Sequence, residues 1–184
     1  NENTVFTGIA LYNPVANFNL TDGSGEPERL LAGRISPNSL AVLGVTPALG
    51  RAFREDEDEV GNESVVLLSD GLWRRRFGAD RSIVGRTIRL SGVPHEVVGV
   101  MGADFPYPER PYDLWVPLTV NPAEMARQIP GFGLRSIARL RPGVTLEAAQ
   151  RQIDAIAAAL AARHPVDRDV RGGLVALHSN LGAD

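Results

Sequence analysis

The apolar positions of this chain change period several times, and each change marks an element. Phe6 to Tyr12 reads as a strand, closed by the polar turn Thr21-Asp22-Gly23-Ser24-Gly25. Arg29 to Ile35 reads as a second strand. Ser36-Pro37 then opens a short helix, with Ser accepting free amides and Pro at the first helical position, where it needs no amide of its own. Leu40 and Leu43 share its buried side, and Gly44 ends it. Val65 to Leu68 is a continuous apolar run, the pattern of a strand covered on both faces. Ser69 or Asp70 caps the next helix, which places Leu72, Trp73 and Phe77 on one face and stops at Gly78.

Thr87 to Met101 has the alternation of a β-hairpin turning at Ser91-Gly92. A two-residue loop pairs Leu90 with Val93, Arg89 with Pro94 and Ile88 with His95. That register puts Pro94 where its missing amide costs little and sets His95 among Ile88, Leu90, Val93 and Val97. The aromatic and proline-rich Phe105-Pro106-Tyr107-Pro108 precedes a strand from Asp113 to Leu118. Thr119 to Phe132, with Pro122 and Pro130, reads as a surface loop. Leu134 to Leu140 forms a strand, Pro142-Gly143 a turn, and Thr145 caps a long helix. Leu146, Ala149, Ile153, Ile156 and Leu160 make its narrow apolar stripe, and it ends near His164, before Pro165. A final strand, Leu174 to Leu177, would complete a right-handed β-α-β unit if the two strands are parallel neighbours. The fold class expected from this order is α+β, a β-α-β lobe carrying a hairpin-rich insertion.

Composition narrows the function. With 184 residues and 43% apolar content the chain can bury a core as one large domain or two small lobes. No run of about 18 apolar residues is present, so this stretch does not span a membrane as a helix. Cysteine is absent, which removes disulfides, thiolate chemistry and the commonest structural zinc sites. All 19 basic residues are Arg, and the net charge of −3 argues against nucleic acid as a partner.

Candidate chemistry is sparse. His95, His164 and His178 show no i, i+4 spacing for metal. In the acidic run Glu55-Asp56-Glu57-Asp58-Glu59, Asp56, Asp58 and Gly61 match three places of a calcium loop. Val60 and Leu67 stand where essential oxygen ligands belong, so a solvated acidic loop is expected. Ser69 reads as a helix cap rather than a nucleophile, and no phosphate-binding glycine loop occurs. Asp104, Glu109 and Asp113 form the sort of carboxylate trio that any soluble protein offers. Arg74-Arg75-Arg76 reads either as an anion or lipid-headgroup patch or as a solvated face suited to the helix dipole. Phe105, Tyr112 and Trp115 read either as a docking surface or as anchors of a long loop. No catalytic, cofactor or metal residue is expected. A stand-alone periplasmic module binding a peptide or small ligand, and a small hydrolase built on His95 or His178, are the alternatives from other classes.

The spaced positions from Ala48-Leu49-Gly50-Arg51 with Phe53, through VVLLSDGLWRRRFG (65–78) and VGRTIRLSGVPHEVVGV (84–100), to DLWVPL (113–118) resemble the MacB-like periplasmic core domain of FtsX/MacB-type ABC-transporter permeases. RISPNSLAVLGV (34–45) extends the likeness, which covers nearly the whole chain. The resemblance implies a porter-like lobe, residues 1–45 and 133–184, with a sabre-like lobe, residues 46–132, inserted in it. It implies an extracytoplasmic, non-enzymatic domain between two membrane helices of a bacterial permease, its two ends together on the bilayer side, passing helix motion to a periplasmic partner or substrate. The implied partners are a second permease copy, a nucleotide-binding ATPase subunit, and an adaptor, lipoprotein or exported peptide. The segment from Phe105 to Phe132 is longer than in the best-known exporters, which leaves lipoprotein release, antibiotic export and activation of a cell-wall hydrolase all open.

Overall fold

The structure, a computed structural model, describes residues 5–21, 26–105, 111–119 and 134–163. Its contacts divide the chain into a larger unit, Ala10–Ile137, and a smaller one made of Asn1–Ile9 and Ala138–Asp184. The mixed, sheet-dominated larger unit contains β1 (Phe6–Leu20) beyond Ile9, β2 (Glu28–Ile35), α1 (Ser39–Leu43), β3 (Leu49–Gly50), β4 (Val65–Leu68), α2 (Asp70–Phe77), β5 (Thr87–Leu90), β6 (Val93–Val100) and β7 (Leu114–Pro117).

Strand pairing in this unit follows the order β2-β7-β4-β6-β5-β1, and β1 pairs again with β2, so the pairings close on themselves, with β3 added on β6. The β2–β7 and β4–β6 pairs are parallel and the others antiparallel. Alternate residues face one buried cluster, as the two-residue strand period requires: Leu30 and Ala32, Val66 and Leu68, Ile88 and Leu90, Leu114 and Val116, with Leu72 and Ile83 added from the connections. Each large aliphatic side chain removed from water there contributes about 2 kcal/mol. The opposite side of β4 is also covered, since Val65 and Leu67 are buried too.

The hairpin has the register that its two-residue turn imposes, with Leu90 opposite Val93, Arg89 opposite Pro94 and Ile88 opposite His95. Ser91 and Gly92 both take positive φ, 51° and 85°, as this turn requires. The tip is held by Ser91 N–H donating to Asn19 O at 2.7 Å and Asn19 N–H donating to Ser91 Oγ at 3.1 Å. The far half of β6 meets β3, where Ala48 and Arg51 amides donate to Val100 O and Val98 O. Here backbone lies on backbone: a Cβ on Gly99 would stand 2.7 Å from Arg51 O and 2.8 Å from Leu49 O, and one on Gly50 would strike Val98 O.

Two local readings are corrected. The strand expected to stop at Tyr12 continues to Leu20, because a bulge between Asn13 and Ala16 accommodates Pro14 and lets pairing with β2 resume. Ser36 does not cap α1, which begins at Ser39 after Asn38. Ser36 Oγ instead accepts from Leu11 N–H at 2.9 Å and donates to Asn38 Oδ1 at 2.7 Å, tying the turn to β1.

In the smaller unit the start of β1 runs beside the end of β8 (Arg135–Leu140), with Arg141 N–H donating to Val5 O at 2.8 Å and Thr7 Oγ1 to Arg139 O at 3.2 Å. α3 (Leu146–Arg163) follows, capped by Thr145 Oγ1 accepting from Ala148 N–H at 3.2 Å, with Ala149 fully buried on its inner side. The expected strand Leu174–Leu177, the loop beyond Thr119, His164, His178 and the position of the two chain ends lie outside the described residues. No helix among the described residues is long and apolar enough to cross a membrane.

The Gly50–Gly99 crossing gives a direct test. Gly99→Ala is expected to lower unfolding free energy in urea by about 2–3 kcal/mol, whereas Gly102→Ala, which meets open space, should change it by no more than about 0.5 kcal/mol.

Candidate functional site: an ion-paired cleft

α2 places its basic last turn against Glu28 of β2 and Asp113, the residue before β7. Arg75 donates through Nε and Nη2 to Glu28 Oε1 at 3.0 and 2.8 Å, and through Nη2 to Asp113 Oδ1 at 2.7 Å. Asp113 is itself fixed, since Oδ2 accepts from Leu31 N–H and its backbone exchanges bonds with Leu31 O and Ser69 N–H, all at 2.8 Å. Arg74 donates to Asp70 Oδ2 at 2.7 Å and lies over the Trp73 ring, and Arg76 approaches Glu28 at 3.5 Å. Burial works against the charge of Arg75, but its bonds to Asp113 and Glu28 outweigh that and raise its pKa. Within the run, Arg74 keeps to the solvated face, its side chain 63% exposed and paired inside α2, whereas Arg75, with Arg76 beside it, is a clamp joining β2, α2 and the start of β7.

A second clamp corrects the reading of the acidic run at one residue, Glu57, while Glu55, Asp56 and Glu59 are exposed as expected. Glu57, inside a 3-10 turn over Glu55–Asp58, is 6% exposed rather than solvated. Arg51 grips it with two bonds, Nη1 to Oε2 at 2.9 Å and Nη2 to Oε1 at 2.6 Å, while Arg54 N–H donates to Oε2 at 2.8 Å. The paired geometry explains the inward turn, because a buried carboxylate needs such partners.

The other candidates are dispersed. His95 is buried against Phe18, edge to face at 6.1 Å, with Nδ1 3.0 Å from Val93 O. Asp104 is exposed, Glu109 lies outside the described residues, and Asp113 belongs to the Arg75 clamp. Ser69 Oγ accepts from Leu72 N–H at 3.1 Å, the capping role expected of it. No group of metal-ligating residues forms among the described residues.

Phe105, Tyr112 and Trp115 do come together. Phe105 meets Trp115 edge to face at 5.2 Å, Tyr112 lies 6.2 Å from Trp115, and Tyr112 OH donates to Pro14 O at 3.2 Å. Tyr112 and Trp115 are buried, which supports the anchoring role for these two rings. With Ser69, Gly71 and Arg75 opposite, the aromatics line a cleft of about 570 Å³. Sequence reasoning did not foresee this cleft, because its two walls are about 30 residues apart in sequence and meet only through the β4–β7 pairing.

The family model described as MacB-like periplasmic core domain matches residues 4–156. Solved structures share the fold. A domain of a permease protein from Porphyromonas gingivalis has a TM-score of 0.64 at 21% identity, over 86% of this chain and 70% of that one. The extracellular domain of the ABC-type transporter YknZ from Gram-positive bacteria gives 0.60 at 15%, over 87% and 77%. The periplasmic region of MacB from Actinobacillus actinomycetemcomitans gives 0.60 at 18%, over 89% and 70%. No curated protein matches the chain.

The Glu57 clamp predicts an acid-sensitive share of stability. Burial alone would raise the Glu57 pKa, but the bonds from Arg51 and Arg54 prevail and hold it below the ordinary 4.5. A carboxyl depressed on folding stabilises above its unfolded pKa and loses that contribution as pH falls through the folded value. Urea titrations at pH 7 and pH 3 should show wild type losing more stability across this interval than Glu57→Gln.

Proposed function

This chain belongs to the MacB-like periplasmic core domain family, the extracytoplasmic part of MacB/FtsX-type ABC-transporter permeases, and from that premise we propose that it acts as a non-catalytic transmitter of motion. The role of its larger unit, Ala10–Ile137, is to move as a solid body when ATP hydrolysis on the other side of the membrane shifts the transporter's helices. The observation that carries this reading is the closed pairing of β1, β2, β4, β5, β6 and β7 around one aliphatic cluster, cross-tied by the Arg75 clamp. Such a body resists internal deformation, because close-packed interiors transmit strain rather than absorb it. The partners in this proposal are a second permease copy and a nucleotide-binding ATPase subunit, with an adaptor, lipoprotein or exported peptide on the outer side.

The lobe boundaries belong to the same proposal. β1 and β2, assigned from sequence to the lobe of residues 1–45 and 133–184, hydrogen-bond to β5 and β7. That pairing favours drawing the inserted lobe from Ala10 to Ile137.

Spin labels test the transmitter role. This domain has no cysteine, and Val60 and Val93 are 74% and 50% exposed, so cysteines placed there, in a transporter whose other cysteines are replaced, carry the labels. In the intact transporter, the distance between Val60 labels on two copies should change between the nucleotide-free and ATP-bound states, while the Val60–Val93 distance within one copy stays constant. An inter-copy distance indifferent to nucleotide, or an internal distance that shifts with it, defeats the proposal.

A further inference from the structure

We propose that the cleft between the first turn of α2 and the aromatic cluster binds a carboxylate carried on an apolar body, a role separate from the transmission of motion. Its walls hold an imbalance of hydrogen-bonding groups. The acidic side chains on them are mostly engaged: Asp113 gives Oδ1 to Arg75 and Oδ2 to Leu31 N–H, and Asp70 gives Oδ2 to Arg74, which leaves Asp70 Oδ1 as the one carboxylate oxygen without a donor among the described residues. The donors are not. Arg75 spends Nε and Nη2 on Glu28 and Asp113, which leaves Nη1 without an acceptor among the described residues. Ser69 Oγ accepts from Leu72 N–H, so its own proton remains to be given. The amides of Asp70 and Gly71 also find no acceptor there. An occupant that satisfies this wall must bring acceptor oxygens.

The opposite wall, Phe105, Pro111, Tyr112 and Trp115, asks for an apolar group beside those oxygens. The volume of about 570 Å³ falls within the range of ordinary ligand sites, roughly 300–1,000 Å³. Arg75 is already oriented by three hydrogen bonds, so little ordering cost attends binding. Local charge selects the anion. The three arginines of α2 are matched by Glu28, Asp70 and Asp113, and of these six only Arg75, Asp70 and Asp113 line the cleft, so its wall carries no excess positive charge. A monoanion can therefore bind through direct charge-assisted bonds, while a phosphate dianion meets repulsion without compensating excess charge. A free apolar acid and the terminal carboxylate of a peptide share this chemistry.

Chemical-shift titration of the isotopically labelled chain separates the cases. N-acetyl-phenylalanine and the peptide Ala-Ala-Ala-Phe are added in turn, each against its carboxamide, with inorganic phosphate as a further probe. Saturable shifts are expected at the Asp70 and Gly71 amides, with the carboxylates binding about tenfold more tightly than the carboxamides. Equal affinity for the two acids identifies a free acid as sufficient, and stronger binding of the peptide identifies a chain terminus. Gly102→Leu projects a side chain where nothing stands within 4 Å. It should weaken carboxylate binding by at least about tenfold at unchanged melting temperature, leaving the Arg75 clamp intact. Absence of saturable shifts, equal response to the carboxamides, phosphate binding as tight as the acids, or undiminished binding by a folded Gly102→Leu variant would overturn the proposal.

Discussion

The larger unit depends on how much backbone can gather around β6. One edge of this strand takes β4 in parallel, and the other is shared, first by β5 and then by β3. Parallel pairing with β4 demands a long crossover, and the chain supplies it with α2 and the short turn at Arg81–Ile83. The shared edge demands that the chain leave room for β3 at its far end. Gly50 and Gly99 provide that room by having no side chains where carbonyl oxygens press in. With that crossing in place, Val66 and Leu68 face the same cluster as Ile88, Leu90 and Val97.

The two clamps share a design. In each, a carboxylate receives a guanidinium and also a backbone amide: Asp113 takes Arg75 and Leu31 N–H, and Glu57 takes Arg51 and Arg54 N–H. An exposed ion pair by itself contributes about 0–1 kcal/mol. A carboxylate that also holds main chain fixes the path of a loop, which is the greater effect here. Asp113 in this way seats the first residues of β7 against β2, and that seating presents the aromatic cluster to α2.

What the sequence disclosed follows from how local each feature is. The hairpin register was legible because a two-residue turn at Ser91-Gly92 leaves one pairing, and that pairing placed His95 opposite Ile88 and buried, although the ring it meets is that of Phe18. The caps at Ser69, Gly78 and Thr145 were legible for the same reason. β3 was not, since two residues show no period. The run of β1 past Pro14 was hidden because proline reads as a strand breaker, whereas a bulge absorbs it. Glu57 was indistinguishable from its acidic neighbours. Its signal, if any, was Arg51 six residues before it and its place at the third position of a turn opened by Arg54. The family motif carried the functional class, while the cleft, built from distant segments, left no trace in any one of them.

The circle of strands is not equally strong all the way round. Between β1 and β5 it is joined by one residue pair, Leu20 with Leu90, and a few bonds at the hairpin tip. Every other junction carries more rungs of ladder. A hoop with a single narrow rivet parts there first, so fleeting excursions from the native state begin at that rivet. Solvent then gains access to the aliphatic interior from this side, long before the broad β4–β6 ladder yields.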